Sequence, residues 1–168
     1  TVLASMNPCP CGYYNHPEKK CVCAPGLVQK YLNRVSGPLL DRIDLHVEVT
    51  PVSFNELTEE FTSESSSIIR NRVINARKVQ ESRFDSKSTY CNSHMSTTDL
   101  KKYCTIDKEA KSILKLAMEK LDLSARAYDR ILKVSRTIAD LDISQEILTK
   151  HVAEAIQYRS LDRDSWAV

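Results

Sequence analysis

The sequence predicts a mainly α protein, with a short strand-helix-strand unit over residues 1–50, a polar linker over 51–64 and an all-helical region over 65–168. Three observations carry that reading. Apolar residues recur at three- and four-residue intervals in four stretches after residue 65, three of them opened by an Asp or Ser able to cap a helix. Residues 43–49 alternate, with Ile43, Leu45, Val47 and Val49 on one side and Asp44, His46 and Glu48 on the other, which is the period of a strand. Between these regions, residues 51–64 begin at Pro51 and turn rich in Ser, Thr and Glu, and that shift marks a boundary.

Taken in order, Val2, Leu3 and Ala4 read as a short buried strand that starts abruptly at residue one, as expected of a piece of a longer protein. Prolines and a glycine forbid a helix from Asn7 to Pro25, leaving a compact loop that holds Cys9, Cys11, Cys21 and Cys23. Pro25 suits the first position of a helix, with Leu27, Val28, Tyr31, Leu32 and Val35 on its apolar face. Gly37-Pro38 then turns the chain into one helical turn, which delivers Arg42 to the mouth of the 43–49 strand.

The helical region opens with a helix from Ser65 to about Phe84, carrying Ile69, Val73, Ala76 and Val79 or Gln80 on one side. Residues 85–97 read as a polar loop, and Asp99 to Tyr103 as a short helix. Three capped helices follow. Asp107 opens one with a stripe of Ala110, Ile113, Leu114, Ala117 and Leu121. Ser124 opens the next, with Ala127, Ile131, Val134, Ile138 and Leu141, and Ser144 the last, with Ile147, Leu148, His151, Val152 and Ala155.

The bulk composition narrows the function classes without choosing among them. At 168 residues with 42% apolar content, the chain can form one ordinary domain or two small ones. Lys and Arg total 24 against 22 acidic residues, so a net charge of +2 neither requires nor excludes nucleic acid. No stretch approaches 18 apolar residues and no basic leader opens the chain, so a soluble, cytoplasmic protein without a membrane partner is expected. Among only three glycines there is no G-x-x-x-x-G-K-[ST] phosphate loop.

Several residues are candidates for chemistry. Cys9, Cys11, Cys21 and Cys23 form a C-x-C…C-x-C set that can close a tetrahedral Zn2+ site, with free thiols and disulfides as the alternatives and His16 as a substitute ligand. Cys91 and Cys104 stand apart, as an exposed loop thiol and a buried small side chain. Arg126, Arg130 and Lys133 fall at i, i+4 and i+7, a basic stripe one residue away from the apolar stripe of the same helix. Arg70, Arg72, Arg77, Lys78 and Arg83 make a basic helix face, either solvated or touching nucleic-acid phosphates, without aromatic residues for base stacking. His46, His94 and His151 show no ligand spacing, and His151 is expected as a hydrogen-bonded core residue.

Three separated segments in a fixed order, VLASMNPCPCG, GPLLDRIDL and LSAR…RILKVSRTIADL, resemble the C-terminal third of bacterial magnesium-chelatase-like AAA+ ATPases of the ComM/YifB group. The resemblance implies that residues 1–50 are the C-terminal remnant of an AAA+ α/β core and residues 65–168 its helical lid. By the same resemblance Asn7 is sensor 1, Arg42 of the L-D-R-[IF]-D motif is the arginine finger and Arg126 is sensor 2, which contacts the γ-phosphate of ATP. The intact protein is then expected to hydrolyse ATP with Mg2+ between subunits of a ring, a hexamer, and to drive movement on branched DNA; this segment alone is expected to be inactive. A magnesium-chelatase motor subunit and a zinc-stabilised nucleic-acid-binding module are the competing expectations.

Overall fold

The computed structural model describes residues 2–52, 63–84 and 89–159. Most of the expected linker, at 53–62, lies outside the described residues. Seven α-helices are present among those described: α1 Leu27–Leu32, α2 Gly37–Leu40, α3 Ser66–Arg83, α4 Thr97–Tyr103, α5 Lys108–Lys120, α6 Ala125–Leu141 and α7 Thr149–Gln157. A 3-10 turn, Asn92–His94, precedes α4.

Helices α3 to α7 form the helical region that the periodicity predicts. Side-chain caps fix three of the starts. Ser96 accepts from the Asp99 amide while Asp99 accepts from the Ser96 amide, a reciprocal capping box that starts α4 two residues ahead of the expected Asp99. Asp107 accepts from the Ala110 amide and Ser124 from the Ala127 amide, as expected for α5 and α6. Ser144, in contrast, does not open the last helix. The chain leaves α6 through Ile143 at φ 56°, with the Ser144 amide bonded to the Ala139 carbonyl, and Leu148 is the residue that precedes α7. Ile147 instead makes a parallel bridge with Ile106, tying the loop before α7 to the loop before α5.

The core gathers Leu100, Cys104, Ile106, Ala110, Leu114, Ile131, Leu132, Ala139, Ile147, Val152 and Ala155. Helix α6 lies at its centre, packing on α3, α4, α7 and the 3-10 turn, while α5 packs on α7. The buried side of α6 is the expected one at Ala127 and Ile131 and departs from it further along the helix. Ala127, Ile131, Leu132, Ser135, Arg136, Ala139 and Asp140 are buried, whereas Val134 and Ile138 are half-buried and Leu141 is exposed.

The helix is turned by about one residue because a polar network claims its inner face. The buried Asp140 carboxylate accepts from both ends of the Arg83 guanidinium, from Arg136 Nε at 3.1 Å and from Asn92 Nδ2 at 2.8 Å. Asn92 Nδ2 also reaches Thr137 Oγ1 at 3.0 Å, and its amide donates to Gln80 Oε1. Arg136 extends the network to the Ser144 and Gln145 carbonyls. On α3 this pulls Ala76 and Gln80 inward and leaves Ile69 and Val73 exposed.

Residues 2–52 contain no assigned strand, which corrects both strand expectations. Val2 and Leu3 are fully exposed. In the second segment the alternation is lost: Leu45, Val47 and Val49 are exposed, as are Asp44 and Glu48, while Ile43 is half-buried and His46 is buried. Alternation makes a strand only where a neighbour supplies the ladder. Here the His46 amide donates instead to the Tyr158 carbonyl at 2.8 Å, and His46 is the residue of the segment that turns toward the helices. Helix α1 is also shorter than expected. It starts after Gly26, at φ 76°, rather than at Pro25, and buries only Leu32.

Asp140 is the point on which three donors converge, and its removal leaves two arginines without their carboxylate. Asp140→Ala is expected to cost about 3–5 kcal/mol, the range for breaking a buried ion pair from one side. Urea unfolding followed by far-UV circular dichroism measures it.

Candidate functional site

The expected finger arginine stands on a tightly wound turn. Within Ser36–Ile43 the amides of Leu39 and Leu40 return to the Ser36 carbonyl, Asp41 to Gly37, Arg42 to Leu39 and Ile43 to Leu40. Every amide from 39 to 43 is therefore satisfied inside the turn. Arg42 is exposed, and its Nη1 donates to the Pro38 carbonyl at 2.6 Å. It pairs with neither Asp41 nor Asp44, the two carboxylates beside it in sequence. Asp44 instead pairs with Arg130, and Asp41 lies 3.7 Å from Arg159.

A groove of about 560 Å³ runs along the outer side of α6. Asp44 and Leu45 of the segment after Arg42 line it together with Arg126, Arg130 and Lys133 of α6. The three cations of the expected stripe thus share one edge. Val134 and Ile138, half-buried at the margin of the core, and the exposed Leu141 provide its apolar lining. Arg126 is exposed at the second position of α6, where the positive end of the helix dipole makes a cation unfavourable by roughly 0.3–1 kcal/mol. The same amides and the same cation favour an anion. Arg130 is held by Asp44, and Lys133 Nζ donates to the Ser93 carbonyl at 3.1 Å. Asn7 is exposed in the N-terminal segment and does not line the groove.

The cysteine loop forms a second, separate constellation. The Sγ atoms of Cys9, Cys11, Cys21 and Cys23 all lie within 4.8 Å of one another. Cys9 and Cys11 are 3.3 Å apart, Cys11 and Cys21 3.5 Å, and Cys9 and Cys21 3.8 Å. A tetrahedral site with Zn–S bonds of ~2.3 Å has S···S edges of about 3.8 Å, so the cluster fits that ion with little movement. These separations exceed a disulfide bond, and all six cysteines are free thiols. Gly12, at φ 81°, makes the tight turn after the first pair, with its amide on the Cys9 carbonyl. His16 does not substitute for a cysteine. Its Nδ1 accepts the amides of Glu18 and Lys19, each at 3.1 Å, and closes the turn between the two pairs.

The thiols are electrostatically unequal. The backbone amides of Tyr13 and Val22 hold Cys11 down at about 6. At Cys23 an opposing bond from the Cys11 backbone is outweighed by desolvation and the neighbouring thiols, which push it up to about 12. Four thiolates at this spacing repel, so full ionisation requires a cation among them.

Elsewhere, His151 is buried as expected, with Nδ1 accepting the Leu148 amide at 3.0 Å and Nε2 facing Asp142 Oδ2 at 3.0 Å. Cys104 is buried as expected, and burial pushes its thiol up to about 11. Cys91 is a correction: it is buried rather than exposed, because the 3-10 turn packs against α6. Sequence reasoning missed Asp140, Arg136 and Arg159, all buried. For the first two a signal was present, since Arg136 and Asp140 stand at i, i+4 beside apolar positions.

The chain belongs to the magnesium chelatase family, matching "Magnesium chelatase, subunit ChlI C-terminal" over residues 63–159 and "Magnesium chelatase, subunit ChlI" over residues 1–57. It is 39% identical over 163 residues to the competence protein ComM of Haemophilus influenzae and 37% identical over the same length to the uncharacterized protein YifB of Escherichia coli. An uncharacterized Mycobacterium tuberculosis protein, Rv2897c, is 33% identical over 158 residues. These alignments cover 94–96% of the chain but 31% of each relative, so the chain spans about a third of their length.

Chelator-treated protein is expected to be alkylated by iodoacetamide at Cys11 well ahead of Cys23 at pH 7. Above about 6 Cys11 is largely thiolate while Cys23 keeps its proton. Peptide mass spectrometry after a short exposure gives the order, and Cys104 is expected among the last.

Proposed function

We propose that this chain is the finger-and-lid part of a ring-forming AAA+ ATPase that acts on DNA. The observation that carries the reading is the shared groove, which has the segment following Arg42 on one side and Arg126 on the other. Both arginines then serve one nucleotide, that of the adjacent subunit. Arg42 swings from the Pro38 carbonyl to the transferred phosphoryl group, where its permanently charged, planar fork matches developing charge on phosphate oxygens. Arg126 holds the γ-phosphate from the start of α6, so that nucleotide state is felt by the helix at the centre of the lid. Asn7 orients the attacking water as sensor 1. ATP, Mg2+ and the phosphate loop are supplied by regions outside this sequence, and the ring is a hexamer.

The cysteine loop is read as a Zn2+ site that braces the segment between Asn7 and α1. Two observations favour it over a set of free thiols: the near-tetrahedral spacing, and the use of His16 for the turn rather than for the site. The family match with ComM, a competence protein, favours DNA over a porphyrin as the object of the motor. Branch migration in the cytoplasm is the proposed work. No helix among the described residues is long and apolar enough to cross a membrane.

Two experiments test these assignments. In the full-length protein, Arg42→Ala is expected to lower ATP turnover by roughly 10³–10⁵-fold. Mixing it with a phosphate-loop variant should recover activity, as should mixing an Arg42→Ala/Arg126→Ala double variant. Recovery of the single but not the double variant would place Arg126 on its own subunit's nucleotide, and a fully active Arg42→Ala would remove the finger assignment. Stimulation by forked DNA but not by a porphyrin substrate separates the two kinds of motor.

For the cysteine loop, the expected stoichiometry is about one Zn2+ per chain by elemental analysis. Affinity should fall as pH falls, because each thiol must lose its proton to bind. Cys9→Ser should abolish retention, and a metal-free protein with unchanged stability would exclude the site.

A further inference from the structure

Arg159 is a large, fully buried side chain, only 1% exposed, at the end of the turn that follows α7. Its Nη1 donates to the Ile43 carbonyl, 116 residues away in sequence, and its Nη2 lies 3.7 Å from Asp41 Oδ1. Asp41 and Ile43 flank Arg42. Next to this contact the His46 amide donates to the Tyr158 carbonyl, and His46 Nε2 meets the Leu40 carbonyl at 3.3 Å. A buried guanidinium therefore grips the arginine turn on both sides of Arg42 while leaving Arg42 itself exposed. We infer that Arg159 is a positioning residue: it fixes the Asp41–Ile43 backbone against the lid and thereby sets where Arg42 can reach.

The geometry explains why an arginine, not a lysine, suits this place. One planar group must donate to a carbonyl and face a carboxylate two residues away, which a fork does and a point charge does not. It also gives a direct route between lid and finger. Arg159 closes the turn directly after the lid's last helix, so a shift of α7 relative to the core moves the turn that bears Arg42. Displacements of about 1 Å at a reacting centre lower rates by about 100-fold.

The inference rests on Arg42 being the finger, and the test separates the two claims. In the full-length protein, Arg159→Met is expected to lower kcat for ATP by about 10–100-fold with KM unchanged, because nucleotide binding lies elsewhere. Rings should still form. Mixed with a phosphate-loop variant, whose own Arg159 and Arg42 are intact, the Arg159→Met subunits should regain activity. Arg159→Lys is expected to fall between the two, and it decides by the same mixing test if the Met variant fails to assemble. Full activity of Arg159→Met beside an inactive, recoverable Arg42→Ala would overturn the positioning role and leave the finger. Loss that mixing does not recover, in variants of either kind, would make Arg159 a folding residue and overturn it as well. An active Arg42→Ala would remove the finger reading and the inference together.

Discussion

A single buried carboxylate organises the helical region. Asp140 collects two guanidiniums and a side-chain amide from three parts of the chain: Arg83 at the end of α3, Arg136 on α6 and Asn92 in the 3-10 turn. Desolvating an unpaired carboxylate is prohibitive, so these partners must arrive together. Apolar packing alone would permit α3 to slide or rotate on α6. The network permits one register, since Arg83 and Asn92 have to reach Asp140 and Thr137, one turn apart on α6, while Gln80 holds the Asn92 backbone amide in place.

That register has a consequence on the opposite side of α6. With Arg136 and Asp140 facing inward, Val134 and Ile138 sit half-buried at the margin between core and groove, and Leu141, Arg126, Arg130 and Lys133 line the groove beside them. Core and groove are thus two faces of one constraint, and the arginine that ends the bundle, Arg159, transmits it to the turn around Arg42.

How much was legible beforehand follows from whether the determinants are local. Caps at Asp107 and Ser124, the extent of α3, the burial of His151 and the cysteine spacing are set by residues within a few positions, and all could be read. The direction in which α6 faces, and hence the lining of the groove, depends on partners up to 57 residues away. The alternation at 43–49 misled for a related reason. It records a preference for a ladder, while the segment here takes its bonds from Tyr158 and Arg159 at the far end of the chain. Arg159 itself sits just past a helix, in a stretch with no periodicity to draw attention to it.

The two parts of the molecule are held by different forces. The bundle is a continuous apolar core with a buried polar network, so deforming it breaks many contacts at once. The segment around Arg42 buries little: Leu32 and His46 are its enclosed side chains between residues 26 and 47. It is attached by a few polar links, to Tyr158, Arg159 and Arg130, each worth roughly 0.5–3 kcal/mol net. Links of that size are large enough to orient a turn and small enough to be exchanged for contacts with a phosphate. If Arg42 is the proposed finger, it has to align for each turnover and release afterwards, and that calls for this balance. A turn sewn into the apolar core would be placed as accurately but could not let go.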